Sequence, residues 1–372
     1  MATFLRPELE AIKAYSTPPE ASSGTLPAQV DYLDTNEFPL DLPAHLKAAL
    51  ARQYVEAMAS NRYPDSSHWH LKQAIATYAS EHSSVPIVPN QIAVGNGSDE
   101  LIRALLLATA LGSHGSIVVA EPTFSIYGIL AQSLGIPVHR AQRHPDTFAV
   151  EIETAEALIA TATPPVRVLF MLQPNSPTGN ALTSTEVAWL RQVPTDILVV
   201  IDEAYFEFSG KTLLPELADH PNWLILRTFS KALRLAAHRV GYAIAEPTVI
   251  AALEKLRLPY NLPSMSQLAA CFALEHRHEL LADIPAVIAE RERLYRQLQT
   301  CPHLRVWPSV ANFLFFRLND PSHTQPLCQA LEQQGTLVRA IANGIRVSIG
   351  TKEENERFWQ RLQHYLSAHS KV

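Results

Sequence analysis

The feature that most constrains the fold of this chain is a series of short aliphatic segments separated by helical patterns. The clearest of these segments lie at 92–94, 117–120, 166–172, 197–201, 224–226 and 240–245. Short, fully apolar strands that alternate with helices are typical of a mostly parallel sheet covered by helices on both faces. We therefore predict an α/β fold with a large domain built on such a sheet.

The pattern changes after about residue 259. Two long helices are predicted at 264–281 and 284–299, and mixed strands and helices follow them. This order favours a second, smaller α+β domain. We predict three parts: an N-terminal arm at 1–35 that joins the small domain, a large domain at 36–258, and a small C-terminal domain at 259–372.

Composition argues against several classes of function. The 372-residue chain has a formal net charge of −6 and no long basic run, so neither nucleic acid nor an anionic membrane is expected as the main partner. No segment approaches the roughly 20 apolar residues of a membrane span, and no secretory signal is visible. The three cysteines are far apart and the histidines form no ligand motif. We expect a cytoplasmic protein with reduced thiols and no metal site.

Several chemically capable side chains come directly after predicted strands. Asp202, Lys231 and Phe124 all follow such segments. In open parallel sheets, ligands bind beyond the carboxyl ends of the strands. The positions of these residues therefore predict a ligand site at that edge, independently of any sequence motif.

Lys231 lies beside Ser230 at the end of an apolar strand, and Arg239 follows eight residues later. In a partly desolvated pocket near another cation, a lysine loses proton affinity and becomes a nucleophile toward a carbonyl group. A hydroxyl and a guanidinium are groups that hold phosphate. This combination indicates pyridoxal phosphate. The alternative is a surface lysine that lies near an arginine by chance.

Two further clusters fit the same cofactor. In the segment 95–100, small residues lead directly into a helix, and the free N–H groups at the N-terminus of that helix attract an anion. Asp202, at the end of a buried strand, could pair with a protonated pyridine nitrogen, and Tyr205 could donate to the phenolic oxygen of the ring. Asp202 could instead be a helix cap. Phe124 could stack on the ring or belong to the core.

The order of these motifs resembles a known family. The segments SDE, EPTF, PNSPTG, DEAY and SK, with an arginine eight residues past the lysine, are similar to those of fold-type I, class II pyridoxal-phosphate aminotransferases. More narrowly, they resemble the histidinol-phosphate aminotransferase family, over nearly the whole chain. The resemblance implies a transaminase of histidine biosynthesis that converts L-histidinol phosphate and 2-oxoglutarate to imidazole-acetol phosphate and L-glutamate.

Carried over residue by residue, the resemblance implies specific roles. The catalytic residues would be Lys231, which binds the cofactor covalently and moves the proton, with Asp202 and Tyr205. Further cofactor contacts would come from Ser98, Asp99, Phe124, Asn175, Ser230, Arg239 and Tyr63. The substrate would be bound by Tyr15, Arg339 and Arg346. Tyr63 would reach the cofactor of a neighbouring subunit, which implies a homodimer with shared active sites.

One departure from the family pattern leaves a position open. The family usually has asparagine directly before the proline of the PTG turn, whereas this chain has Ser176 there and Asn175 one residue earlier. Either residue could therefore meet the phenolic oxygen. For Arg339, a surface position at a strand end is the alternative.

Three other functions remain open at this stage. An aromatic-amino-acid aminotransferase and a threonine-phosphate decarboxylase are built on the same scaffold. A regulatory protein that kept the fold without catalysis is the third, but the chain has no room for an added DNA-binding segment and carries every residue that the chemistry needs.

Overall fold

The structure is a computed structural model that describes Phe4, residues 27–83 and residues 85–369. The strands in these residues are β1 (Asp31–Tyr32), β2 (Ile92–Asn96), β3 (Ser116–Glu121), β4 (Val138–Gln142), β5 (Val166–Leu172), β6 (Leu198–Asp202), β7 (Trp223–Thr228), β8 (Val240–Ala245), β9 (Leu304–Trp307), β10 (Phe313–Leu318), β11 (Thr336–Leu337), β12 (Arg339–Ile341) and β13 (Gly344–Ser348).

The α-helices of the same residues lie between and after these strands. They are α1 (Ala44–Ala57), α2 (Trp69–Ser80), α3 (Gly97–Thr109), α4 (Ile126–Ser133), α5 (Ile152–Thr161), α6 (Ser184–Leu190), α7 (Phe206–Ser209), α8 (Pro247–Leu256), α9 (Ser264–Glu275), α10 (Arg277–Leu280), α11 (Ile284–Gln299), α12 (Thr324–Gln333) and α13 (Lys352–Ala368). In the described part of the chain, no helix has the length and apolar character needed to cross a membrane.

A seven-stranded sheet forms the larger layer, with the order β2-β8-β7-β6-β5-β3-β4. Strand β8 is antiparallel to both of its neighbours, and the remaining neighbours are parallel. Successive strand residues enter different cores: Val199 and Ile201 pack in one hydrophobic cluster and Val200 in another. Because side chains alternate across a strand, both faces of the sheet are buried. The predicted α/β fold with a mostly parallel, helix-covered sheet is confirmed.

The C-terminal part of the chain forms a second, antiparallel sheet with the order β12-β13-β10-β9. Helices α11, α12 and α13 bury their apolar faces against it, in a cluster that contains Phe316, Leu331 and Phe358. Near the other end of the chain, β1 pairs in parallel with β11. This pairing joins the described end of the predicted arm to the C-terminal part.

Some elements differ from the sequence-based predictions. Strand β4, helix α5 and strand β9 were not predicted. Strands β4, with the sequence VHRAQ, and β9, with the sequence LRVW, are edge strands in which charged or polar residues interrupt the apolar run. The helix predicted at 264–281 is interrupted, because His276 leaves the helical conformation at φ −98° and ψ 17°. The ring of His276 packs against the ring of Phe272, with centres 4.3 Å apart.

A buried ion pair connects β1 to the last helix. Asp31 is 1% exposed and accepts hydrogen bonds from Arg357 Nη2 at 2.5 Å and from Arg361 Nη1 at 2.8 Å. The hydroxyl of Thr336 on β11 also donates to this carboxylate. A carboxylate at such depth is stable only with charged or hydrogen-bonding partners. Asp31 therefore fixes the segment that leads into the active site.

We expect Asp31→Ala to lower the free energy of unfolding by about 2 kcal/mol, because buried hydrogen bonds to a charged group are lost. Urea denaturation of the purified protein measures this change. Asp146→Ala is the matched control, because Asp146 pairs with Arg305 while both side chains are more than half exposed, and such pairs contribute about 0.2–1 kcal/mol. Equal losses in the two variants would contradict a special role for Asp31.

Candidate active site

The carboxyl ends of the parallel strands bring the predicted residues together. Asp202 is the last residue of β6, and Lys231 follows the end of β7. Phe124 follows β3, and the turn that begins at Gln173 follows β5. These strands are neighbours in the sheet, so their ends line one edge, as the sequence predicted.

Lys231 lies in an environment that favours its neutral amine. Its Nζ donates a hydrogen bond to the carbonyl oxygen of Thr35 at 2.8 Å and lies 5.9 Å from the centre of the Tyr205 ring. Burial, followed by repulsion from Arg346 and Arg239, lowers the pKa of Lys231 to about 8. A lysine with this pKa has a substantial neutral fraction near neutral pH and can act as a nucleophile.

Asp202 is a buried carboxylate with a defined orientation. It is 3% exposed, and its Oδ1 accepts from the backbone N–H of Ala204 at 3.1 Å. Its Oδ2 accepts from the hydroxyl of Tyr127 at 2.7 Å. Burial raises the pKa of Asp202 to about 6, against the effect of these hydrogen bonds. The carboxylate is therefore placed to bind one further donor.

Tyr127 was missed by sequence reasoning, because a tyrosine in an apolar helix resembles a core residue. It is fully buried on α4 and stacks on Phe170 with ring centres 4.5 Å apart. Its position three residues past Phe124, a residue already predicted to contact the cofactor, was the available signal. The Phe124 ring contacts Tyr127 edge to face at 5.5 Å.

The start of α3, Ser230 and Arg239 form a concave polar surface. The guanidinium of Arg239 donates to Ser230 Oγ at 3.2 Å and contacts Asp99 Oδ2 at 3.3 Å. The Gly97 N–H donates to the carbonyl oxygen of Arg239 at 2.7 Å. The N-terminus of a helix, a hydroxyl and a guanidinium together suit an anion such as phosphate.

Close backbone packing shapes this surface. A Cβ on Gly241 of β8 would lie 2.3 Å from the backbone nitrogen of Ser98, and one on Gly97 would lie 2.6 Å from Arg239 Nη2. Gly97 also has φ +73°, a conformation that glycine adopts without strain. Glycine at both positions therefore keeps the helix start and the arginine in contact with the end of β8.

Asn175 and Ser176 have different surroundings. The Asn175 Oδ1 accepts from Thr123 and Arg143, and its Nδ2 donates to Pro122 and Thr178. Ser176 Oγ instead accepts from Arg346 Nη1 at 3.1 Å and opposes the rise that burial causes in the pKa of Tyr205. The amide of Asn175 is thus occupied by four partners, three of them in residues 122–143, whereas the hydroxyl of Ser176 lies beside Arg346 and Tyr205.

The hairpin of β12 and β13 brings the two arginines predicted for the substrate together. Arg339 and Arg346 are directly opposite each other in the antiparallel register. Arg346 Nη2 donates to the carbonyl oxygen of Asp34 at 2.5 Å. Burial raises the pKa of Asp34, and the positive charges of Arg346 and Arg339 oppose this rise only in part. The two arginines, which are seven residues apart in the sequence, are thus neighbouring cations in the structure.

Two predicted residues are not brought to this cluster. Tyr63 is 79% exposed, and its ring stacks on Tyr260 with centres 4.4 Å apart. Tyr15 lies outside the described residues. No group of three or more potential metal ligands occurs in the residues that the structure describes.

Comparison with known proteins decides the family. Residues 29–362 match the family model described as aminotransferase class I and II. This chain belongs to that family. The predicted pyridoxal-phosphate-dependent transaminase and its cofactor are thereby confirmed.

Curated relatives of this aminotransferase cover its whole length. It is 72% identical to a protein of Thermosynechococcus vestitus named histidinol-phosphate aminotransferase, over 99% of this chain and 98% of that protein. It is 58% identical to a protein of the same name from Synechococcus elongatus, over 98% and 97% of the two chains.

Solved structures share the fold. A histidinol-phosphate aminotransferase of Sinorhizobium meliloti, described in complex with pyridoxal-5'-phosphate, has a TM-score of 0.84 and 22% identity over 98% of each chain. An L-threonine-O-3-phosphate decarboxylase of Porphyromonas gingivalis has a TM-score of 0.75 and 20% identity over 91% of this chain and all of its own. The fold alone therefore does not select the reaction.

The residues of this aminotransferase fit the cofactor. The glycine-lined surface at the start of α3 suits a phosphate, and Asp202 has capacity for a protonated ring nitrogen. Lys231, with its lowered pKa, suits an aldehyde. Each group agrees with one functional part of pyridoxal phosphate.

We expect Gly241→Ala to raise the Kd for pyridoxal phosphate by about tenfold or more, because the added methyl group displaces the backbone of Gly97 and Ser98 from the phosphate position. Equilibrium titration of the apoprotein with pyridoxal phosphate measures this effect. Gly128→Ala on α4 is the control, since the nearest atoms to its added Cβ lie 4.0 Å away. Unchanged affinity in Gly241→Ala would show that the phosphate binds elsewhere.

Proposed function

We propose that this aminotransferase acts on L-histidinol phosphate and 2-oxoglutarate, and that it releases imidazole-acetol phosphate and L-glutamate. The names of relatives that are 72% and 58% identical over nearly the full length support this substrate. The structural observation that carries the proposal is the proximity of Lys231, the candidate nucleophile, to Arg346, the arginine assigned to the substrate anion. Arg346 is close enough to Lys231 to lower its pKa.

We assign Arg339 and Arg346 to the anionic group of each substrate. L-Histidinol phosphate carries a phosphate where glutamate and 2-oxoglutarate carry a carboxylate. Guanidinium groups bind both anions through paired hydrogen bonds. Their direct opposition on β12 and β13 supports a shared site for the two anions.

Pyridoxal phosphate supplies the electron sink of the reaction. Lys231 supplies the amine that binds the cofactor's aldehyde and then, when free, moves a proton from the substrate carbon. Asp202 holds the ring nitrogen in its protonated form through its negative charge. Ser98, Asp99, Ser230 and Arg239 form the phosphate surface, and Phe124 lies over the ring.

We also propose a homodimer in the cytoplasm, with Tyr63 and the arm residue Tyr15 completing the sites. Several large apolar side chains near Tyr63 are exposed, among them Tyr260 at 43% and Leu258 at 70%. Contiguous exposed apolar groups are typical of protein interfaces. The domain limits at 1–35, 36–258 and 259–372 are part of the same proposal. The separation of the seven-stranded from the four-stranded sheet supports two domains, although α9 packs in the core cluster of the larger sheet.

The substrate is tested by absorbance titration of the cofactor-loaded protein. We expect low concentrations of L-histidinol phosphate to remove the absorption band of the lysine-bound cofactor and produce the pyridoxamine form. Lys231→Ala should abolish turnover, because nucleophile and base are lost together. Lys211→Ala, at an exposed lysine, should keep full activity.

Other outcomes would replace this proposal. A response to phenylalanine without one to L-histidinol phosphate would indicate an aromatic-amino-acid aminotransferase. Release of CO₂ from a phosphorylated amino acid would indicate a decarboxylase. Full activity of Lys231→Ala would refute the assignment of the reactive lysine.

We further propose that Ser176, and not Asn175, contacts the phenolic oxygen of the cofactor beside Tyr205. The four hydrogen bonds that occupy the Asn175 amide support this choice. The Ser176 hydroxyl also opposes the rise in the pKa of Tyr205, the tyrosine predicted to meet that oxygen.

We expect Ser176→Ala to move the pH midpoint of the cofactor's absorption band upward, because the ionised phenolic oxygen loses a donor. Spectrophotometric pH titration measures the midpoint. Ser209→Ala, on α7 with its hydroxyl donating to the carbonyl oxygen of Phe206, should leave it unchanged. An unchanged midpoint in Ser176→Ala would indicate that Asn175, and not Ser176, contacts the phenolic oxygen.

A further inference from the structure

Tyr127 is the only residue of the described chain whose side chain is recorded as donating to the carboxylate of Asp202. The distance of 2.7 Å from its hydroxyl to Asp202 Oδ2 is that of a strong O–H···O⁻ bond. The two residues are 75 positions apart, on α4 and at the end of β6. The contact is therefore a product of the tertiary fold.

The packing of the Tyr127 ring fixes the position of its hydroxyl group. The ring is fully buried, lies parallel to Phe170 within 11°, and contacts Phe124 edge to face. A phenylalanine would fill the same space among these apolar rings. The hydroxyl is thus the one part of the side chain that packing does not explain, and its described partner is Asp202.

The protonation states of the pair fit this direction of donation. Burial, followed by the charge of Asp202, raises the pKa of Tyr127 far above its usual range, so the hydroxyl keeps its proton. The hydrogen bond in turn opposes the rise that burial causes in the pKa of Asp202. The other titratable groups that face Asp202 are Asp99, Glu203 and Tyr205.

We propose that Tyr127 is a positioning residue for the cofactor: its hydroxyl keeps Asp202 ionised and oriented toward the protonated ring nitrogen. The inference rests on the pyridoxal-phosphate site described above. An ionised carboxylate can accept about four hydrogen bonds, and Tyr127 and Ala204 account for one on each oxygen. Each oxygen thus keeps capacity for one further donor, such as the protonated ring nitrogen of the cofactor.

This arrangement gives the segment 124–127, which leads into α4, two tasks. Phe124, at the entrance to the helix, is assigned to one face of the cofactor ring. Tyr127, one turn later, holds the carboxylate that meets the edge of the same ring. A single local structure therefore fixes the ring in two directions, and the aromatic contact between the two residues links their positions.

The test is Tyr127→Phe, measured as the Kd for pyridoxal phosphate of the apoprotein between pH 5 and pH 9. We expect the Kd at pH 7.5 to rise by about tenfold or more, since a hydrogen bond to a charged group is lost. In the wild-type protein, affinity should fall as the pH drops through about 6, where Asp202 becomes protonated. In the variant this fall should begin at higher pH, because the pKa of Asp202 rises further.

Tyr78→Phe is the matched control. Tyr78 is also a buried tyrosine, and its hydroxyl bonds to a carboxylate, Glu207, at 3.2 Å. This variant should lose thermal stability as an apoprotein and keep the wild-type Kd and pH profile. Equal loss of cofactor affinity in both variants would reduce the effect of Tyr127 to general destabilisation and overturn the proposal.

A double-mutant cycle with Asp202→Asn provides the second measurement. If Tyr127 acts through Asp202, removing its hydroxyl in the Asp202→Asn background should change the Kd by less than about twofold. A full tenfold effect in that background would overturn the proposal, as would a wild-type Kd in Tyr127→Phe alone. Failure of the wild-type protein to bind pyridoxal phosphate would instead refute the cofactor site itself.

Discussion

The active site depends on charged groups that are buried at the carboxyl edge of the sheet and only partly compensated there. Removing a charge from water is costly unless hydrogen bonds or opposite charges replace the solvent. Asp202 has one described donor on each oxygen, and Lys231 donates to one carbonyl oxygen. Each keeps capacity for a further partner, and burial shifts the pKa of each toward its neutral form. This incomplete compensation makes the site reactive.

A buried ion pair whose carboxylate has four described donors lies directly beside it. Glu203 accepts four hydrogen bonds, two of them from Arg227, and both side chains are at most 1% exposed. Glu203 follows Asp202 on β6, and Arg227 lies on β7 four residues before Lys231. The pair fixes the ends of neighbouring strands, and catalysis needs such fixed relative positions. A buried carboxylate with four donors thus serves structure at Glu203, and one with two donors is available for chemistry at Asp202.

The sequence was most informative where chemistry required a particular residue type. Lys231 and Asp202 could be recognised because a reactive amine and a buried carboxylate have few other reasons to follow apolar strands, and Arg239 could be recognised by its position eight residues past the lysine. Tyr127 could not be recognised, because its hydroxyl contacts Asp202, a residue 75 positions away in the sequence. Side-chain orientation was equally hidden: Asn175 and Ser176 are adjacent in sequence but face different networks. Edge strand β4 was missed because it has no continuous apolar run.

The segment before α1 connects the cofactor and substrate parts of the site. The carbonyl oxygens of two consecutive residues, Asp34 and Thr35, accept from Arg346 and Lys231 respectively. The two cations are therefore held close together, and their repulsion contributes to the low pKa of Lys231. An anion bound by Arg346 offsets that repulsion, because opposite charges at short range compensate each other. Under the proposed assignment of Arg346 to the substrate anion, the proton affinity of the free Lys231 amine would therefore rise when the substrate binds, which is when the lysine must accept a proton.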